Sequence, residues 1–344
     1  MNDIDYSKIK VSPVMDSLIM EKIPDEIYFG EKYADYISNS RLRLINPDQG
    51  GSPEQYFAGF AGNKIYSDSL VNGSAVHELC LQPEYFELIE TVNRPVGKPG
   101  FISDIVYKKD RLPTDEELID AAREVGYYSG KLNTVQMRDL KDKVLPYCQD
   151  RMTFETGYDG KKDPIYLCES ARNKVKDCVH NLLDNQDVYN LLHPTGMLID
   201  PVSENEQAIL VDLNVEMEGC EPFILKLKAK LDNFTIDKEN NTLIINDIKT
   251  HGRKIGEFYD AMLNWRYMRE MAVYATLLNL VAKKYYGMEH TKIDANFLVV
   301  STLPPYYTKV HRLRREDFLA GIDEFQRLLK MVAYYTYKKD HGEL

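Results

Sequence analysis

Residues 225–250 constrain this chain more than any other stretch: LKLKAKLDNFTI and TLIINDIKT, each alternating apolar and polar residues, flank the turn-rich DKENN. Period-two alternation on both sides of a short polar turn specifies a β-hairpin, whose register follows from the centre of the turn. A turn centred between Glu239 and Asn240 sets Asp232 directly opposite Asp247. Cross-strand Cβ atoms lie roughly 4.5–5.5 Å apart, where like charges destabilise a sheet, so a compensating divalent cation is expected. Lys249 lies two residues beyond Asp247 and shares its strand face. Two carboxylates and an ammonium are a sufficient minimum for phosphodiester hydrolysis. The oxygens hold a hard cation such as Mg²⁺, which helps generate hydroxide and neutralises charge on the phosphorane. The lysine orients or deprotonates the water, or stabilises the developing charge. The plain alternative makes Asp232 the start of a turn and Asp247–Lys249 a surface ion pair of little worth. The apolar run Leu243, Ile244, Ile245 before Asp247 argues instead for a buried strand delivering the acid.

The order of elements around this hairpin indicates an α/β fold with a mixed central sheet flanked by helices. Residues 1–30 read as an irregular N-terminal arm, and 31–344 as one domain with a helical insertion at about 95–165. Ser38 or Ser40 caps a short helix in ISNSRLRLI, ahead of Leu42, Leu44 and Ile45. The segment SLVNGSAVHELCL reads as a buried helix with Leu70, Gly73, His77 and Leu81 near one face and Pro83 just past its end. The insertion contains the acidic start TDEELIDAAREVGYY and the charged QMRDLKDKVLPYC. A helix over 164–184 then leads to the strands QAILVDLNVEM and the hairpin. One long helix after Gly256 reaches about Tyr286, followed by the strand ANFLVVSTL and a closing helix from EDFLAG onward.

Bulk properties exclude several classes. With 344 residues, 44% hydrophobic and 28% charged, the chain is an ordinary globular one. No run of about 18 apolar residues suggests a membrane span, and the polar, acidic start lacks a secretory pattern. A cytoplasmic setting is expected, bacterial or that of the host if phage-encoded. Cys80, Cys148, Cys168, Cys178 and Cys220 form no CxxC pair, so no zinc ribbon or iron–sulfur cluster is implied. A net charge of -11 argues against indiscriminate coating of nucleic acid. An enzyme that gathers carboxylates around a cation can still be acidic overall.

Three separated motifs then resemble a known family, the RecB-like branch of the PD-(D/E)XK nucleases, in particular its exonuclease VIII-like and phage exonuclease members. GSAVHELCLQPEYFE resembles that group's GxxxH helix and implies His77 as a metal ligand; without it, His77 reads as a core histidine. KAKLDNF with INDIKT implies Asp232 and Asp247 as ligands, the Ile248 backbone carbonyl as a further one, and Lys249 as the catalytic lysine. EMAVY stands where the family shows QxxxY and implies catalytic roles for Glu270 and Tyr274, which lie one helical turn apart. The resemblance spans roughly residues 30–300, interrupted by the insertion. It implies a restriction-endonuclease-like core, Mg²⁺ with Mn²⁺ as substitute, and 5′ to 3′ exonuclease action on double-stranded DNA ends for recombination. A ring-shaped homo-oligomer and a single-strand annealing partner are also implied. Two departures stand out. Ala229 replaces a usual Gly, and Glu270 replaces the usual Gln with an acceptor-only group. A sequence- or structure-specific endonuclease, or a silent DNA-binding protein of the same fold, are the alternatives.

Other residues carry two readings each. Glu206 is a candidate additional carboxylate near the metal or an ordinary loop acid, whereas Glu78 points to a different helical face from His77. Ser38, Ser40, Arg41 and Arg43 either hold a DNA terminal phosphate or simply cap a helix. Lys226, Lys228 and Lys230 form a basic stripe that tracks a DNA backbone or is merely solvated. Arg312, Arg314 and Arg315 are similarly ambiguous, with Glu316 and Asp317 beside them. Tyr334, Tyr335 and Tyr337 read as packing or an oligomer contact.

Overall fold

A computed structural model describes residues 6–59, 66–128, 132–194 and 198–344. The chain divides into two compact units, one of residues 1–62 with 184–344 and one of 63–183. The first begins with strands β1 (Ile9–Pro13) and β2 (Ile19–Glu21) and helices α1 (Asp25–Tyr28), α2 (Asn39–Ile45) and α3 (Pro53–Ala58). The second unit follows: α4 (Asp68–Leu81), β3 (Phe86–Ile89), α5 (Lys98–Val106), α6 (Asp115–Glu124), α7 (Thr134–Gly157), β4 (Asp163–Tyr166) and α8 (Glu169–Asp184). The first unit resumes with α9 (Gln186–Leu192), β5 (Val202–Met217), β6 (Phe223–Asp237), β7 (Thr242–His251), α10 (Phe258–Trp265), α11 (Tyr267–Tyr286), β8 (Lys292–Ser301), β9 (Thr308–Arg312) and α12 (Arg315–Asp340).

The first unit is a mixed α/β fold built on a sheet ordered β1-β5-β6-β7-β8-β9, with β2 also on β5. Among the described strands of this sheet, only β7 and β8 run parallel. A parallel pair requires a crossover, and α10 with α11 supply it. Met271, Leu277, Leu278 and Val281 of α11 are fully buried in one cluster with Phe234, Ile236, Leu243, Ile245 and Phe297 of the strands. Each such side chain contributes about 1.5–3 kcal/mol, which fixes α11 over the strands that carry the acids. Leu42 and Ile45 of α2 join the same cluster. The helix starts at Ser38, whose hydroxyl accepts the Arg41 amide at 3.2 Å.

The arm expected to be irregular is partly ordered. β1 and β2 cover successive stretches of the outer edge of β5, although residues 1–5 lie outside the described ones. These strands are short, and β1 ends on a proline, so their pairing comes from the long β5 rather than from their own pattern. The single helix expected between Gly256 and Tyr286 is two, because Arg266 adopts a left-handed conformation (φ 58°) between α10 and α11. No Gly or Pro announces that break.

In the second unit, Phe101, Ile102, Leu118, Leu140, Val144 and Tyr147 form a separate core. Thr114 and Glu117 close a capping box at the start of α6. Two expectations are corrected. Residues 163–166 form β4, parallel to β3, and the helix starts only at Glu169. Pro164 suits a helix start equally well, and strand pairing decides. The α4 helix buries Ala75, Val76, Cys80 and Leu81, while Leu70 is 57% exposed. Its apolar face is therefore turned from the one the spacing suggested, following the denser apolar side.

Candidate metal site

The hairpin forms in the expected register. Asp237 pairs with Thr242, and the ladder runs to Asn233 opposite Asn246, so the next opposed position is Asp232 with Asp247. There the strands part. β6–β7 pairing stops, while β7 continues along β8 as far as His251. Asp232 Oδ2 accepts the Ile248 backbone N–H at 2.8 Å, taking the place of a main-chain partner. The N–H and C=O of one strand residue leave towards the same neighbour, which directs the Ile248 carbonyl into this fork.

On the other side of β6 the same arrangement recurs. Every β5–β6 pair from Val202↔Ile236 to Val215↔Phe223 holds one register, and Glu206 with Asp232 is the opposed position left unpaired. Glu206 has φ 55°, which lifts it out of the ladder. Carboxylate oxygens of Glu206 and Asp232 lie within 4.8 Å, close to the span of two oxygens across one Mg²⁺, about 4.2 Å at 2.1 Å each. All these donors are hard oxygens, so the set fits a hard divalent cation. Glu206 also pairs with Lys230 at 2.8 Å.

Lys249 occupies the charged centre. Its ammonium lies 2.7 Å from Asp247 Oδ2 and 3.0 Å from Glu270 Oε2, with its Nζ 4.7 Å from the centre of the Tyr267 ring. Burial alone would lower the lysine, but the carboxylates of Asp247, Glu270 and Asp232 outweigh it and hold the group well above its ordinary value. Burial pushes the Asp247 carboxyl up against the Lys249 ammonium, and Asp232 and Glu270 add like charge. The Tyr274 hydroxyl donates to Glu270 Oε1 at 3.3 Å. That phenol stays protonated, since burial and then Glu270 raise it well above its usual range. Glu270 thus acts as a second counter-ion of the lysine.

On the opposite face, reached by alternation from Asp232 and Asp247, asparagines bridge four strands. Asn233 donates to Asn205 at 2.7 Å, Asn246 to Asn233 at 2.7 Å, and Asn296 to Asn246 at 3.2 Å. A one-residue slip would break this chain and turn the carboxylates to the wrong face. The asparagines lie far apart in sequence and show no local pattern. Tyr267, also missed from sequence, had a legible signal: it precedes Glu270 by three residues and Tyr274 by seven, one helical face.

His77 is half-buried on α4, in the second unit, and Glu78 is half-buried beside it. The basic stripe needs correction. Lys228 is buried and donates to the Tyr28 carbonyl at 2.6 Å; Lys226 pairs with Asp35 at 3.0 Å, and Lys230 binds Asp25 and Glu206. The α1 segment lies over Lys228 and Lys230, so this face is not a solvated stripe. Ser38 is a helix cap, Ser40 contacts it at 3.0 Å, Arg41 donates to Ala34 O, and exposed Arg43 stacks on Trp265. Arg314 pairs with Asp317 at 2.9 Å, while Arg312 and Arg315 are exposed. Tyr334 and Tyr335 pack against the core, and Tyr337 stacks on His341. All five cysteines are free thiols, and no helix among the described residues is long and apolar enough to cross a membrane.

No protein-family model and no curated protein matches the chain. Among solved structures it is similar to a crystal structure named "Putative exonuclease" from Eubacterium rectale, at 12% identity and a TM-score of 0.32, covering 82% of this chain and 89% of that one.

Proposed function

We propose that this chain is a metal-dependent deoxyribonuclease. The observation that carries the reading is the opposition of Asp232 and Asp247 across the fork, with Lys249 held on Asp247 at 2.7 Å. Glu206 and Asp232 are the proposed metal-holding pair, with Asp247 and the Ile248 carbonyl as further ligands, and His77 is the ligand that the family resemblance adds. A bound Mg²⁺, or Mn²⁺ in its place, would polarise a phosphoryl oxygen and lower the pKa of the attacking water. Hydrolysis joins the water oxygen to phosphorus, breaks the bond to the leaving sugar oxygen and gives that oxygen a proton. Lys249, held as an ammonium, donates to oxygens on which charge develops. Glu270 and Tyr274 fix the lysine's position.

Exonuclease action from double-stranded ends, 5′ to 3′ in polarity, a ring-shaped homo-oligomer and a single-strand annealing partner complete the proposal on the strength of the family resemblance. The test is digestion of matched linear and covalently closed circular duplex DNA, with Mg²⁺ or EDTA, by wild type and Lys249→Ala. Loss of the linear form alone, Mg²⁺-dependent and absent in the variant, is the expected result. Cutting of the circle would replace end resection by endonuclease action, and no cutting of either would overturn the catalytic reading.

A further inference from the structure

The chain contains a single tryptophan, and it stands at the last residue of α10, two positions before Tyr267. Scattered exposed aliphatic residues need no explanation. An indole is different: it is the largest apolar side chain and normally covers much of itself. Trp265 is 51% exposed, with Leu263 on the same helix 37% exposed. One ring contact is already made. The guanidinium of exposed Arg43, from α2, lies 5.4 Å from the ring centre. Arg266, which follows directly, is turned to Glu324 at 3.8 Å, so Arg43 is the cation at the ring. A half-open aromatic face backed by an exposed arginine suits a ligand that is both anionic and aromatic. A few residues further along the chain, Tyr267 and Glu270 contact the candidate catalytic lysine.

We infer that Trp265 is a stacking platform for an unpaired nucleobase of the DNA strand, with Arg43 backing the indole and serving the adjacent phosphate. The inference rests on the nuclease reading and specifies where a base near the reacting strand is held. Base–aromatic stacking is sequence-tolerant, and its loss weakens binding by roughly tenfold or more per base.

The single tryptophan makes the test direct. Indole emission and the anisotropy of a labelled oligonucleotide are followed together in EDTA, so that binding is read without cleavage. The probes are a short single-stranded thymidine oligonucleotide and one of equal length made of abasic sugar-phosphate. The base-bearing strand should quench the emission and the abasic strand should not. Trp265→Ala should weaken the base-bearing strand roughly tenfold and leave the abasic strand unchanged, while Trp265→Phe retains most of the affinity. Binding of the base-bearing strand without quenching, or equal affinities for wild type and Trp265→Ala, overturns this inference alone. Failure of wild type to bind either strand overturns it together with the nuclease reading.

Discussion

Replacing Lys249 by methionine keeps the volume of the side chain and removes one charge from a cluster of carboxylates. The ammonium lies 2.7 Å from Asp247 and 3.0 Å from Glu270. At an effective dielectric of about 20 these contacts are worth about 6 and 5.5 kcal/mol of gross attraction. Desolvating the ammonium offsets much of this, and removing one partner of a buried pair leaves a net loss of about 3–5 kcal/mol. For a unit of this size that lowers the melting temperature in EDTA by on the order of 10 °C. The same change strips a cation from beside the proposed metal ligands, so Mg²⁺ should bind more tightly and raise the melting temperature of Lys249→Met by more than it raises that of wild type. Thermal unfolding of both proteins across a Mg²⁺ titration, followed by calorimetry, decides the matter. A variant that melts with wild type in EDTA, or gains no more from Mg²⁺, would refute the argument that Lys249 is the counter-charge of this site.

Asp247→Asn should abolish Mg²⁺-dependent cleavage while the far-ultraviolet circular dichroism spectrum stays unchanged; near-wild-type turnover would remove Asp247 from the catalytic centre. His77→Ala should chiefly raise the Mg²⁺ concentration needed for activity, and an identical Mg²⁺ dependence would exclude the imidazole as a ligand. Asn246→Val should cost about 1–3 kcal/mol in urea unfolding by leaving its buried amide partners unsatisfied, and an unchanged midpoint would mean that the asparagine chain does not set the register. Lys228 supplies a pH effect. Burial, with Arg41 adding to it, lowers its pKa from 10.5 to about 8. Above pH 8 the folded protein has released this proton while the unfolded chain keeps it until about 10.5, so its contribution to stability rises with pH across that window. The stability of wild type relative to Lys228→Met should therefore increase between pH 7 and 9.5, as read by denaturant unfolding at each pH; a constant difference would contradict the burial of the charged group.

The core of the site was legible because a hairpin turns sequence symmetry into spatial opposition: residues equidistant from the turn must meet, and Asp232 and Asp247 are equidistant. Helix spacing likewise placed Glu270 and Tyr274 together. What escaped had no local signature. Lys226, Lys228 and Lys230 alternate like a solvated face, and only the chain segment around Tyr28, two hundred residues earlier, decides that Lys228 is buried. β9 is short and polar, and Arg266 breaks a helix with a residue type that normally extends one. The role of Glu270 needed the position of Lys249, which no single-segment pattern contains.

Because Asp232 completes the ladder at Ile248 through its side chain, the main chain and the proposed cation draw on the same carboxylate. The amide of Ile248 is consequently a built-in reporter: any ion that pulls on Asp232 changes the acceptor strength felt by that one N–H, and its chemical shift or exchange rate registers occupancy without substrate or turnover. Both groups that residue 248 brings to the fork belong to the backbone, so its buried side chain serves packing rather than the wiring of the site.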